Sequence, residues 1–217
     1  MLIIGAKGFA KEVLEVVYQE NPQAELFFYD DVTPDMPEKL YDRYPILRSE
    51  QQAEDYFASS GTKAFTIGIG DPKLRFRLYK KFTAMGGRFT STISPLAQIG
   101  HFDNHIGDGC NIMTGTILTN SITLGEGCLI NLSCTIGHDC VIGKFAEFSP
   151  DVNISGNCTI GDFVTIGTNA VVLPKIKVGR NVIIGAGSVV TKDVPDNSLV
   201  VGVPGKVVRE LDPFDEV

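Results

Sequence analysis

The sequence predicts a mixed architecture: a small parallel α/β unit over residues 1–90, then a parallel β-helix of six-residue repeats over residues 91–217. Three observations lead there. An apolar residue recurs at every sixth position from Ile106 to Val190, and strand-like and helix-like segments alternate before residue 90. The 217 residues are 43% hydrophobic and 21% charged, the make-up of an ordinary globular chain.

Met1 to Gly5 reads as a strand, Gly8 to Glu20 as a helix and Glu25 to Tyr29 as a second strand. Ser49 to Ser60 suits a helix, Ala64 to Ile69 a strand, and Pro72 to Met85 a further helix. Strands that alternate with helices imply a parallel sheet with crossover connections. In the first strand-to-helix turn, Gly5-Ala6-Lys7-Gly8-Phe9-Ala10, helix N-terminal N–H groups are available to hold a phosphate. Asp30 and Asp31 end the second strand, where a carboxylate can accept hydrogen bonds from a ribose or base. Ninety residues supply one mononucleotide-binding half, and the turn is not a full G-x-G-x-x-G. A nucleoside-diphosphate compound is therefore expected ahead of NAD. The competing reading is that Gly5 and Gly8 only permit a tight turn.

From Ile106 the periodic positions are Ile106, Ile112, Leu118, Leu124, Ile130, Ile136, Ile142, Phe148, Ile154, Ile160, Ile166, Val172, Val178, Ile184 and Val190. At this apolar content such an unbroken run has a chance likelihood on the order of 10⁻⁵. The fifth position of each hexad, from Cys110 to Val194, is always small or β-branched, as a narrow coil interior requires. A period of six is neither that of a sheet nor that of an α-helix; it builds a parallel β-helix of 18-residue triangular coils. Ile93 and Ile99 are in phase with it, with one extra residue before Ile106. All five cysteines fall at the inward fifth position, so they read as small core residues rather than ligands or disulfide partners.

Residues 18 apart stack on one corner of the prism. The first corner carries Asp108, Glu126, Lys144, Asp162 and Arg180, a charged column expected to face water. The second carries Thr114, Leu132, Pro150, Thr168 and Ala186; the third carries Asn120, His138, Gly156, Pro174 and Lys192. Two sparsely charged corners fit a homotrimer with clefts between subunits. His101 and His138 lie two coils apart, roughly 10 Å, too far to share a metal ion, so no metal is expected. Gly156, one coil beyond His138, leaves a groove, and Lys192 lies three coils on, roughly 14 Å away by strand spacing. A pantetheine arm is about that long. On spacing alone, His138 is equally an ordinary exposed turn residue.

The net charge of −7 and a pI near 5.0 disfavour a nucleic-acid partner. No apolar run approaches the ~20 residues of a membrane span. No basic leader precedes the first strand, so a cytoplasmic location is expected.

The segments Gly5 to Glu12, Tyr29-Asp30-Asp31 and Ile67-Gly68-Ile69-Gly70-Asp71 resemble the Rossmann-like N-terminal domain of the sialic-acid O-acetyltransferase and UDP-bacillosamine-type N-acetyltransferase family. Ile136-Gly137-His138-Asp139-Cys140 resembles that family's catalytic turn, and Gly202-Val203-Pro204-Gly205-Lys206 its closing motif. The resemblance covers nearly the whole chain. It implies a left-handed β-helix, a trimer, and acetyl transfer from acetyl-CoA to a nucleotide-linked sugar. It further implies that His138 is the general base and Asp139 the neighbour that raises its basicity. Lys7, Gly8, Phe9, Asp30, Asp31 and Gly70 would contact the sugar nucleotide, and Gly156, Thr168 and Ala186 would line the acetyl-CoA cleft, with Lys192 near the pyrophosphate. The bacillosamine enzymes carry serine, glycine and histidine at Lys7, Gly8 and Phe9, and a second histidine at Glu147.

The expected reaction is acetylation of the 4-amino group of a nucleotide-linked deoxysugar. An ammonium must lose a proton before it attacks a thioester, and imidazole chemistry suits that step. With every cysteine turned inward, direct attack is expected rather than an acyl-cysteine. The alternatives are O-acetylation of a sialic acid or other sugar hydroxyl, a non-catalytic sugar-nucleotide-binding scaffold, and an NAD-dependent oxidoreductase.

Overall fold

The computed structural model describes residues 1–214; the last three residues of the segment expected over 91–217 lie outside the described residues. Short runs rich in β-branched and aromatic residues form the strands of the N-terminal sheet, in the order β1 (Leu2–Ile4), β2 (Phe27–Tyr29), β3 (Lys39–Leu40), β4 (Tyr44–Leu47), β5 (Ala64–Ile67) and β6 (Arg88–Phe89). Their spatial order is β3-β4-β2-β1-β5-β6, parallel throughout except for the β3–β4 hairpin. Helix α1 (Gly8–Glu20) buries Ala10, Val13, Leu14, Val16 and Val17, the stripe that three- and four-residue spacing produces. Helix α2 (Glu50–Ser59) starts where the Ser49 hydroxyl accepts from the Gln52 amide. Helix α3 (Pro72–Ala84) starts where Asp71 accepts from the Leu74 amide at 2.7 Å, with proline at the first helical position. The β3–β4 hairpin and β6 carry no periodicity that the sequence reading detects.

From Thr92–Ile93 onward the chain winds into a left-handed parallel β-helix of two-residue strands. The first face stacks Thr92–Ile93, Asn111–Ile112, Leu129–Ile130, Glu147–Phe148, Thr165–Ile166 and Ile183–Ile184 in register. The second face runs from Gln98–Ile99 to Val189–Val190, and the third from His105–Ile106 to Lys177–Val178. Partners are 18 residues apart except at the two ends: in the first coil Asn111 pairs with Thr92 and Ile117 with Gln98, because of the extra residue before Ile106, and in the last Ile183 pairs with Leu199, 16 residues on. The inward apolar column forms one continuous core. All five cysteines are free and buried in it. Each thiol donates to a carbonyl of the next coil: Cys110 to Gly125, Cys128 to Gly143, Cys134 to Ser149, Cys140 to Ser155 and Cys158 to Leu173, at 3.1–3.2 Å. Burial pushes the Cys134 thiol up to about 12.

The N-terminal sheet and its helices pack on the first face and on the first corner. Val16 of α1 meets Met113 and Leu129. Asn111, buried on that face, donates from Nδ2 to the Ile67 carbonyl at 2.8 Å and accepts at Oδ1 from Thr66 and Thr92. Arg75 of α3 is fully buried and donates to the Gly127 carbonyl. This overturns the expectation for the charged column. Only Asp108 is exposed; Glu126, Lys144, Asp162 and Arg180 are half-buried, because α3 lies against this corner. The next residue of each turn explains why. Phe145 and Phe163 stack with rings 5.9 Å apart and 9° from parallel, Phe89 continues the stack on Phe145, and Phe76 of α3 meets both edge-on. Gly127 keeps the ladder open, since a Cβ there would lie 2.5 Å from the Phe145 ring.

If this stack fastens the two parts together, Phe145→Ala should destabilise the protein by about 3–5 kcal/mol, the usual loss for a buried phenylalanine. Cys134→Ala should have a clearly smaller effect. Urea unfolding of the two variants compares them directly, and equal midpoints would show that the stack carries no special load.

Candidate active site

The corners of the coil position the candidate residues. At the third corner the Asn157 amide donates to the His138 carbonyl at 2.8 Å, and the Asp139 amide donates to Asn120 one coil earlier. Asp139 adopts a left-handed backbone (φ 60°), which turns its carboxylate back beside its neighbour. His138 Nδ1 and Asp139 Oδ2 are 2.7 Å apart. Both side chains remain accessible, at 65% and 55% exposure. A carboxylate on Nδ1 fixes that nitrogen as the protonated one and leaves Nε2 with a free lone pair, the form in which imidazole removes a proton.

Gly156 has a different part from the one expected. A Cβ there would lie 2.8 Å from His138 Nε2, so the space the glycine leaves is the seat of the imidazole itself, not an open groove. Thr168 and Ala186 are exposed neighbours on the second corner, linked by the Gly187 amide donating to the Thr168 carbonyl. A Cβ on Gly187 would meet nothing within 4 Å, so the edge is open at this point. Lys192 is exposed at the end of the third corner, where the coil shortens: Val178 bridges Val194, 16 residues on, and Asp193 accepts from the Lys177 amide.

A second candidate site lies at the C-terminal ends of β1, β2 and β5. A cavity of about 120 Å³ is lined by Ile4, Gly5, Tyr29, Asp30, Asp31, Val32, Ile69, Leu74 and Leu78. Ligands of parallel α/β sheets bind at such strand ends. Gly5 takes φ +101° with Gly68 close by, and a Cβ on Gly68 would lie 2.6 Å from the Ala10 Cα, so these glycines let α1 approach the sheet. Lys7 caps α1 without a side-chain hydrogen bond, leaving the helix-terminal amides beside an open Gly8.

The two aspartates differ. Asp31 stands half-exposed at the cavity rim, accepting from the Tyr29 hydroxyl at 2.7 Å with Lys81 3.7 Å away. Burial and that hydrogen bond push the Tyr29 phenol up. Asp30 is buried, and its carboxylate is occupied by the Val32 and Thr33 amides and the Thr33 hydroxyl, so it shapes the turn rather than facing a ribose. Phe9 packs toward Val16 and the coil, and its ring does not line the cavity. Gly70 is half-buried beyond the lining residues. The sequence reading passed over Leu74 and Leu78, whose four-residue spacing on α3 was the available signal.

Comparison with known proteins finds relatives for both parts of the chain. Residues 1–82 match the family model described as PglD N-terminal domain, and residues 157–192 match Bacterial transferase hexapeptide (six repeats). WeeI from Acinetobacter baumannii AYE is 31% identical, with a TM-score of 0.85, over 95% of this chain and 98% of that one. The chain belongs to the hexapeptide-repeat sugar N-acetyltransferase family. Perosamine N-acetyltransferase from Caulobacter crescentus, solved as a histidine-to-asparagine variant with CoA and GDP-perosamine, is 26% identical over 96% of each chain (TM-score 0.87). The acetyltransferase domain of PglB from Neisseria gonorrhoeae FA1090, in complex with acetyl coenzyme A, is 27% identical over 95% of this chain and 98% of that one (TM-score 0.85). No curated protein matches in a comparison of sequences. No helix among the described residues is long and apolar enough to cross a membrane.

Within this sugar N-acetyltransferase, Glu147 lies on the first face, in register with Leu129 and Thr165, rather than on the corner that bears His138. It is buried and accepts from the Ser149 hydroxyl at 3.0 Å, and burial pushes its carboxyl up to about 7.

Two outcomes follow from this geometry. Gly156→Ala should drive the imidazole from its seat and lower turnover between roughly 10- and 100-fold, the scale of a misplaced catalytic group, with little change in melting temperature. Unchanged turnover would show that the ring position is immaterial. For Glu147, the folded state keeps the proton to higher pH than the unfolded chain does. Its contribution to stability is therefore full below the ordinary carboxyl range and is lost as pH rises toward 7. Glu147→Gln should remove that slope, which thermal melts from pH 4.5 to 8 would reveal; identical pH profiles would refute it.

Proposed function

We propose that the chain transfers an acetyl group from acetyl-CoA to the 4-amino group of a nucleotide-linked deoxysugar, with His138 as general base. Acetyl-CoA is the acetyl donor of this family and of this chain. The observation that carries the reading is the 2.7 Å contact between His138 Nδ1 and Asp139, with the imidazole seated on Gly156 and exposed on a coil corner. GDP-perosamine in the Caulobacter relative supports a nucleotide-linked aminosugar as acceptor. The cavity rimmed by Asp31, beside the uncapped start of α1, is the proposed place for the nucleotide.

In the proposed reaction, the acceptor ammonium first releases one proton to solvent, and Nε2 then removes a second from the amine nitrogen as that nitrogen attacks the thioester carbon. The tetrahedral intermediate collapses, the C–S bond breaks, and the imidazolium returns the proton to the departing thiolate of CoA. The products are the acetamido sugar and free CoA. The inward thiols, each bound to a carbonyl inside the coil, support direct transfer without an acyl-cysteine.

We further propose that the working form is a trimer. The N-terminal sheet covers the first face, and the corner bearing His138 lies opposite that face. A nucleotide held in one chain's cavity is thus across the coil from the same chain's histidine. A neighbouring copy would bring its third corner to that cavity, with Thr168 and Ala186 of an adjacent second corner forming the other wall of the acetyl-CoA cleft.

His138→Ala should lower turnover roughly 10²- to 10⁴-fold while acetyl-CoA still binds, as expected when a general base is lost. Steady-state rates across pH 6 to 9 with UDP-, dTDP- and GDP-linked 4-aminosugars, together with acetyl-CoA titration calorimetry, make the test. Full activity of the variant, or a trapped acetyl-cysteine, would end the assignment.

A further inference from the structure

The loop that carries the extra residue of the first coil, residues 100–104, is fastened at each step. Gly100 runs so close to the next coil that a Cβ would lie 2.0 Å from the Thr119 carbonyl oxygen. The Phe102 amide donates to Asn120 Oδ1 at 3.2 Å, and the Ser121 amide donates to the Phe102 carbonyl at 3.0 Å. Asn104 donates from Nδ2 to the carbonyls of Gly100 and Thr119, both at 2.8 Å, and accepts from the Ile122 amide at 2.9 Å. Such a loop holds its shape, yet its bulkiest side chain, Phe102, is 72% exposed. A large aromatic ring held on a fixed backbone loses little further freedom when it is covered, which suits it to stack on a flat partner.

Its position indicates the ligand. Phe102 sits on Asn120, and Asn120 sits one coil before His138 on the same corner. Coils repeat at about 4.8 Å, so Phe102 lies roughly 10 Å from the His138 backbone. The imidazole tilts the other way, onto Gly156. On the proposed reading the acetyl donor runs toward the later coils and Lys192, so the amine arrives from the side of Phe102. A single sugar ring is too short to reach from the imidazole to Phe102. What lies there is the part of the acceptor beyond the sugar.

We propose that Phe102 is an acceptor-recognition residue that stacks on the nucleoside of the nucleotide-linked aminosugar. It would cover the side of the nucleoside left open by the neighbouring copy's cavity. This rests on His138 being the general base. Aromatic rings stack on any base face, so the residue recognises a nucleoside without choosing its identity.

Kinetics with the fastest of the UDP-, dTDP- and GDP-linked 4-aminosugars test it. Phe102→Ala should raise the KM for that acceptor roughly 5- to 100-fold, the scale of one lost base-stacking contact. Its kcat and its KM for acetyl-CoA should stay within about twofold, since no donor contact is altered. The corresponding aminosugar 1-phosphate, which lacks the nucleoside, should be used equally well by variant and wild type. Phe102→Tyr should keep the wild-type KM, and Phe102→Leu replaces the alanine variant should that fail to fold. An unchanged acceptor KM, an equal loss with the sugar 1-phosphate, or dissociation of the variant in light scattering would each overturn the proposal. A fully active His138→Ala variant, or no turnover of any of the three acceptors, would instead bring down the reading beneath it.

Discussion

The structure depends on one backbone constraint: from Gly109 to Gly187 every hexad turns a corner within two residues, and the second of them sits in the left-handed region. Along the third corner this holds for Ser121, Asp139, Asn157 and Lys175, with φ between 56° and 65°. At the second it holds for Gly115, Ser133, Asp151, Asn169 and Gly187. Glycine, asparagine and aspartate enter that region at least expense, which is why they crowd these positions. The same turn aims each amide at the carbonyl of the preceding coil, so the stack registers itself. The close approach of His138 and Asp139 is a product of this geometry. Adjacent residues in an extended strand would point to opposite sides.

Where the constraint is met by a bulky residue, something else must compensate. Phe145 and Phe163 are left-handed at 53° and 56°, and they are also the rings that stack against α3. Left-handed phenylalanines are uncommon. Here the burial of both rings between the coil and the N-terminal part offsets that backbone preference. The three corners are thereby differentiated by their turn residues: one fastens the N-terminal part, one presents small side chains, and one presents a histidine–carboxylate pair.

Much of this was legible in the sequence. The six-residue period gave the coil, and arithmetic in steps of 18 assigned each turn residue to its corner, because a repeat with one phase leaves no freedom. The inward cysteines were legible for the same reason. The burial of the charged corner was not, since solvent exposure depends on what packs outside the coil and the repeat describes only what lies inside. Asp30 and Phe9 illustrate a second limit. Motif position placed them near a ligand, but Asp30 is spent on the turn at Thr33 and Phe9 on the contact with Val16. Gly156 was recognised as a gap, while the imidazole that fills it lies one coil away in sequence.

A coil of three equal sides also restricts how this chain can change in length. Inserting one hexad before His138 would hand every later residue to the next edge, carrying the histidine to the corner of Lys144, against which α3 packs, and swapping surface for surface along the rest of the stack. Inserting eighteen residues would lengthen the prism and leave each edge in place. The single extra residue of the first coil is harmless because it is absorbed in the bulge at 100–104 before the repeat settles at Ile106. Viable length variants of this half should therefore be quantised in whole turns, whereas the N-terminal loops can drift one residue at a time.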